Sequence, residues 1–133
     1  MIVVDANILV YRMIECEKTG KVMLLEDRDP DWRFPALWEY EFGNALTLMV
    51  RQKKMADKEA SILLNTALEV YAPGVMAVNP ESALRLATHH QLTFYDSQYL
   101  ALARTLGASL VTEDKALIRA GAGTAMSLEE ILA

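Results

Sequence analysis

Four carboxylates in this 133-residue chain interrupt or border apolar sequence. Asp5 ends the buried-looking run in "IVVDAN", and Asp114 follows the apolar stretch in "ASLVTED". Glu41 falls among Trp38, Tyr40, Phe42, Ala45 and Leu46, and Asp96 opens a helical pattern before "LVTED". Each has a plain structural reading. Asp5 and Asp114 suit the positive end of a helix dipole, a placement worth about 0.3–1 kcal/mol, and Asp96 is an acceptable helix cap. Glu41 is the hardest to explain this way, whereas Glu39 beside it reads as solvent-facing.

Taken together the four ask for more. Like charges about 4 Å apart repel by roughly 4 kcal/mol at an effective dielectric of 20, so such a cluster must protonate, separate or hold a cation. Mg²⁺ or Mn²⁺ is the natural counterion for an all-oxygen donor set that need not close a complete cage. A site of that kind attracts a phosphodiester and can activate water for its hydrolysis.

Composition limits what else the chain can be. Its length predicts a single domain over residues 1–133, and 53% hydrophobic with 23% charged residues is an ordinary globular mixture. A net charge of −5 argues against binding nucleic acid by global attraction, so a polyanionic partner needs a local basic patch or a metal. The single Cys16 cannot form an internal bridge and reads as a small buried or half-buried hydrophobe. No signal or long apolar span is evident, which points to the cytoplasm.

The elements that must position the carboxylates alternate in type. Met1–Val4 reads as a buried strand followed by a helix from about Ala6, and a shorter helix covers Lys21–Asp27. "RDPDWRFPA" is turn-rich, with an extended piece near Trp32–Phe34. A long helix follows with Leu37, Tyr40, Asn44, Leu48 and Arg51 along one stripe. Asp57 is expected to cap the next helix, Lys58–Leu68. Tyr71–Val78 is an apolar run of strand length, regular only after Pro73 and Gly74. Pro80 opens a helix to about His90. A helix from about Tyr95 to Leu106 stops at Gly107, a strand spans Ser109–Val111, and a helix starts near Asp114. A last short strand precedes a terminal turn capped by Ser127, with Glu130 three residues on. Such alternation implies a mainly parallel sheet covered on both faces. In that architecture ligands sit beyond the carboxyl ends of the strands, where Asp5 and Asp114 lie.

These residues carry a family resemblance. "VVDANILVY", "PALWEYEFGNAL" and "LTFYDSQYLALARTLGASLVTEDKAL", in that order and spanning nearly the whole chain, resemble the PIN domain, and within it the VapC-like toxin ribonucleases of toxin–antitoxin pairs. The resemblance implies a three-layer α/β/α sandwich and Mg²⁺- or Mn²⁺-dependent RNA cleavage. It also implies a homodimer and a cognate antitoxin that covers an apolar groove. By position, Asp5, Glu41, Asp96 and Asp114 match the family's acidic quartet, both as catalytic groups and as metal ligands. Asn7, Asn44 and Thr112 match polar positions that support them. "TED" departs from the pattern, placing Glu113 where relatives more often carry a small residue.

Outside the quartet, Arg12, Lys115 and Arg119 lie on helices that start near the acids and are candidates for phosphate contacts. Arg51, Lys53, Lys54 and Lys58 read as a solvated face. Tyr95 and Tyr99 read as packing residues with base stacking as the alternative. His89 and His90 are adjacent in sequence and do not face one ligand. Two other classes share some features. A receiver or phosphohydrolase also puts an aspartate after its first strand, but the phosphohydrolase pattern has a second acid where this chain has Asn7. A noncatalytic metal- or RNA-binding module would keep the acids for structure or for a regulatory cation.

Overall fold

The computed structural model describes residues 1–133. Four strands, β1 (Ile2–Val4), β2 (Trp32–Arg33), β3 (Ser109–Val111) and β4 (Ala125–Met126), form one sheet in the order β2-β1-β3-β4. All three pairings are parallel, with Val3 opposite Arg33 on one side and Leu110 on the other. Eight α-helices connect and cover them: α1 (Ala6–Met13), α2 (Thr19–Arg28), α3 (Leu37–Arg51), α4 (Asp57–Tyr71), α5 (Pro80–His90), α6 (Phe94–Leu106), α7 (Lys115–Ala120) and α8 (Leu128–Leu132).

The unbroken apolar run of β1 follows from burial on both faces. Ile2 and Val4 pack into one core with Ile8, Trp38, Phe42 and Val111. Val3 points the other way, into a second core with Tyr99, Leu100, Leu110 and Leu117. Alternation along β1 therefore sends successive side chains to opposite layers without exposing either. In α3 the buried stripe is Trp38, Phe42 and Leu46. The stripe through Tyr40, Asn44, Leu48 and Arg51 faces outward, Tyr40 being 74% exposed.

Three local expectations are corrected. Tyr71–Val78 is not a strand. Tyr71 ends α4, Ala72–Gly74 make a single 3₁₀ turn, and one parallel bridge joins Val75 to Phe34. The chain passes so close to β2 that a Cβ on Gly74 would lie 2.3 Å from the Trp32 carbonyl oxygen. Asp57 is the first residue of α4 and not its cap. The capping position is Ala56, which has no side-chain acceptor, and Asp57 and Glu59 instead place charge in the first turn. Cys16 is exposed in the turn between α1 and α2, where backbone bonds to Thr19 shape the chain more than apolar contact does.

The connections set where a site can form. From β1 the chain leaves by α1 and α2 to reach β2 on one side, and returns by α3–α6 to place β3 on the other. The order reverses between β1 and β3, and the carboxyl ends of these two strands are where open parallel sheets bind ligands. Gly107, at φ +64°, ends α6 and turns the chain into β3.

Candidate active site

Asp5 follows β1 directly, and Thr112 and Asp114 follow β3, so the sheet register brings them to the same edge. Asp5 is buried and divides its two oxygens between tasks. Oδ1 accepts the Ala6 amide at 2.7 Å and caps α1. Oδ2 accepts the Thr112 hydroxyl at 2.6 Å and the Asn7 side-chain amide at 3.3 Å. Thr112 Oγ1 in turn accepts the Asp114 backbone amide at 3.0 Å. Asp114 caps α7, its Oδ1 taking the amides of Ala116 at 2.8 Å and Leu117 at 3.2 Å. Both aspartates thus cap a helix with Oδ1, while Oδ2 of Asp5 is held by Thr112 and Asn7 and the second oxygen of Asp114 accepts no bond.

Glu41 and Asp96 come from the other direction, on α3 and α6. The Tyr99 hydroxyl donates to Glu41 Oε1 at 2.5 Å. Asp96 is the third residue of α6. The cap is Thr93, whose hydroxyl accepts the Asp96 amide at 3.0 Å. No lysine, arginine or histidine is ion-paired with any of the four acids.

The electrostatic consequence is a rise in pKa at Asp5, Glu41 and Asp96. Burial pushes Asp5 up to about 7, reinforced by the charges of Glu41 and Asp96 and opposed by the bonds from Thr112 and Ala6. Glu41 is raised by burial and by Asp96, against the Tyr99 bond. Asp96 is raised by burial and by Asp114. The four acids are thus coupled through their charges. They do not form a ready-made group of three or more side chains closed around a metal position. Their donor chemistry does fit a hard divalent ion, since every group is an oxygen, and the Asn7 side-chain oxygen beside them is buried with no partner.

The other predicted residues separate into those that reach this edge and those that do not. Asn44 lines a cavity of about 590 Å³ with Leu37, Tyr40, Glu41, Thr93, Tyr95 and Asp96, and bonds to no carboxylate. Lys115 and Arg119 are exposed on α7, without ion-pair partners. Arg12, seven residues beyond Asp5, has its guanidinium held at 2.9 Å by Glu26, which also accepts the Tyr71 hydroxyl at 2.6 Å. Glu113 turns away from the acids, pairing with Lys18 at 3.0 Å and capping the Leu128 amide at 2.8 Å. His89 and His90 pack edge to face with each other near the end of α5.

Tyr99 was the partner that sequence reading missed. It is fully buried and tied to Glu41, so it has no free face for a base. Its spacing of three residues from Asp96 on one helix was the available signal.

The model of the PIN domain family matches residues 2–123. Ribonuclease VapC3 of Pyrobaculum aerophilum is 28% identical over 119 residues, covering 87% of this chain and 91% of that protein. Exonuclease VapC9 of the same organism is 35% identical over 94 residues, 70% of this chain and 68% of its own. The crystal structure of PAE2754, also from Pyrobaculum aerophilum, aligns with a TM-score of 0.76 at 30% identity, covering 98% of this chain and 92% of that one. With its parallel four-stranded sheet between helical layers and its acids at the β1/β3 switch point, this chain belongs to the PIN domain family.

Proposed function

We propose that this chain is a Mg²⁺- or Mn²⁺-dependent endoribonuclease, folded as one domain over residues 1–133, and the toxin of a toxin–antitoxin pair. The observation that carries the reading is charge without compensation: carboxylates linked through their charges, Asp5 to Glu41 and Asp96, Glu41 to Asp96, and Asp96 to Asp114, with no cation paired to any of them. Structural acids are normally matched by a cation or left in water. A divalent ion bound there supplies counter-charge, activates water and offsets charge on the leaving oxygen. Asp5, Glu41, Asp96 and Asp114 would hold it, directly or through water.

The remaining residues have roles the protein performs by itself. Thr112 and Asn7 fix Oδ2 of Asp5. Tyr99 fixes Glu41. Lys115, next to Asp114, and Arg119 contact phosphates of the strand, which an acidic chain needs for binding. Asn44 contributes a polar group to the cavity wall beside Glu41. The names of the relatives, a ribonuclease and an exonuclease, support nuclease chemistry. In this reading the chain works in the cytoplasm as a homodimer and is held inactive by its cognate antitoxin. No helix is long and apolar enough to cross a membrane.

The test uses purified chain free of antitoxin and RNAs labelled at either end, structured and single-stranded, with Mg²⁺, Mn²⁺ or chelator. Internal cuts that chelator abolishes support the reading. Stepwise loss from one end replaces endonuclease by exonuclease. Binding of metal or RNA with no turnover on any substrate overturns it in favour of a noncatalytic module.

A further inference from the structure

The residues between β3 and α7 divide their side chains between two tasks. Thr112 and Asp114 belong to the acidic edge: the Thr112 hydroxyl donates to Asp5 Oδ2 at 2.6 Å and accepts the Asp114 amide at 3.0 Å. Glu113, between them, is bonded elsewhere. Its Oε2 takes the Lys18 ammonium at 3.0 Å, and its Oε1 takes the Leu128 amide at 2.8 Å.

Both partners are themselves held. Lys18 immediately precedes α2, and its ammonium lies 5.0 Å from the centre of the Tyr11 ring. Leu128 opens α8 and is buried in the core that contains Val4, Ile8 and Val22 of β1, α1 and α2. The far end of α8 is tied to α2 as well, since Arg28 donates to the Leu132 carbonyl at 3.2 Å. Leu117 of α7, by contrast, packs into the other core, with Val3 and Leu100. Glu113 therefore joins the two layers of the molecule one residue away from Asp114. The side-chain bonds of Thr112 and Asp114 do not do this, because they run to Asp5 and into the first turn of α7.

We infer, on the metal-site reading of the four acids, that Glu113 is a positioning residue for that site: it braces the link from β3 to α7 against α2 and α8 and so sets where the Asp114 carboxylate stands. The brace is needed because α7, only six residues long, is too short to be stable by itself and cannot fix its own cap. Groups that orient a metal ligand in this way govern how tightly the ion is held. The same contact disposes of a charge. An unpaired carboxylate beside Asp114 would add to the acidic edge, and Lys18 cancels it without pairing with any of the four acids.

The test measures Mn²⁺ affinity by calorimetry on the wild-type chain, Glu113→Ala, Glu113→Gln, Lys18→Met and Ser127→Ala. Glu113→Ala is expected to bind Mn²⁺ about 10-fold more weakly, the low end of what is lost with a group that orients a metal ligand, while Glu113→Gln, which keeps an oxygen for the Leu128 amide, stays within about threefold. Lys18→Met keeps the Leu128 bond and unmasks the Glu113 charge, so it should tighten Mn²⁺ binding at low salt and lose that gain at high salt. In chelator, hydrogen exchange at the Ala116 and Leu117 amides, which Asp114 holds, should speed up in Glu113→Ala and not in Glu113→Gln. Ser127→Ala is the control. It removes the α8 cap, where the hydroxyl accepts the Glu130 amide at 3.1 Å, and should lower the melting temperature with Mn²⁺ affinity unmoved. Wild-type affinity in Glu113→Ala, or an equal loss in Ser127→Ala, overturns the brace and leaves the metal site standing. Glu113→Gln as weak as Glu113→Ala overturns it too, since Glu113 would then act by its charge. A wild-type chain that binds no Mn²⁺ and cleaves no RNA overturns the metal-site reading and the role of Glu113 with it.

Discussion

Two buried tyrosine–glutamate pairs sit on opposite flanks of β1, and they differ in a single component. In the pair formed by Tyr71 and Glu26, the second carboxylate oxygen is met by Arg12 at 2.9 Å. In the pair formed by Tyr99 and Glu41, no cation is present, and the neighbouring charged groups are Asp5 and Asp96. The first is a closed clasp joining α1, α2 and α4. Tyr71 is stacked on Trp32 there, with ring centroids 5.6 Å apart, and Glu26 strengthens the hold of Arg12 on its proton. The second is open, and its carboxylates titrate upward because burial disfavours their charged form and neighbouring acids add to the effect. The same hydrogen bond therefore marks structure where a guanidinium completes it and a site where the completing charge must come from outside.

The largest effect expected from this contrast is at Asp5. Asp5→Asn keeps an N-cap acceptor for α1 and removes the most perturbed charge of the open group. Cleavage is expected to fall by at least ~10²-fold, the scale of deleting one charge-stabilising group at a reaction centre. Stability should move the other way. The carboxyl has an ordinary value of 3.8 and stands at about 7 in the fold, so the wild-type protein keeps the full benefit of a protonated Asp5 below pH 4 and loses it as pH rises through 7. In chelator, thermal melts of Asp5→Asn and wild type should coincide near pH 4 and diverge by pH 8, the variant being more stable by up to about 4 kcal/mol, which is three pKa units. Mg²⁺ should close that gap by stabilising the wild type. Melts that stay parallel across this range would place Asp5 in an ordinary solvated cap.

Asp114 separates the two uses of a carboxylate. Its Oδ1 caps α7 while the second oxygen accepts no bond. Asp114→Asn should retain the cap and the melting temperature but lose activity, by about 10²-fold. Asp114→Ala should lose the same activity and about 1 kcal/mol of stability besides. Equal activity for Asn and Asp at this position would leave only the capping role.

How much of this was legible in the chain depends on the range of each interaction. Asp5 and Asp114 stood out because strand and helix chemistry are local: an apolar run buried on both faces ends in an acid that begins a helix. Glu41 stood out as a charge inside an apolar periodic stretch. Tyr99 as its donor was signalled only by its spacing from Asp96, because it lies 58 positions from Glu41 and α3 and α6 meet only once the chain between them has folded. The false strand at Tyr71–Val78 has a related cause. Its apolar pattern suits a strand, but the close approach of Gly74 to the Trp32 carbonyl leaves room for one bridge and no ladder. Glu113 was legible only as a departure from the family pattern, because the groups that claim its two oxygens, Lys18 and the start of α8, are distant in sequence.

The paired substitutions Tyr99→Phe and Tyr71→Phe measure the contrast directly. Tyr71→Phe removes a hydroxyl from the closed clasp, should cost about 1 kcal/mol, and should leave activity per folded molecule unchanged. Tyr99→Phe should cost a similar amount. It also removes a bond that holds the Glu41 pKa down, so the rising limb of the pH–rate profile should move to higher pH. If both variants shift the profile equally, the distinction between clasp and site is lost.

The smallest expected effect concerns the cations that do lie near the open site. Lys115 and Arg119 sit exposed on α7, whose cap is Asp114, and neither is spent on an acid of the protein. Arg12 is spent, held by Glu26. Each of the two free cations that neutralises a phosphate should therefore reduce the salt dependence of RNA binding when removed, by about one in the slope of log affinity against log salt. Lys115→Ala and Arg119→Ala should do so with several-fold losses of affinity at low salt that shrink as salt rises, and with no change in melting temperature. Asn44→Ala, which removes an uncharged group from the cavity wall, should leave the slope unchanged. A slope unaltered by either cation would mean that the strand crosses another face of the domain, and would leave the divalent ion as the main source of positive charge seen by the backbone.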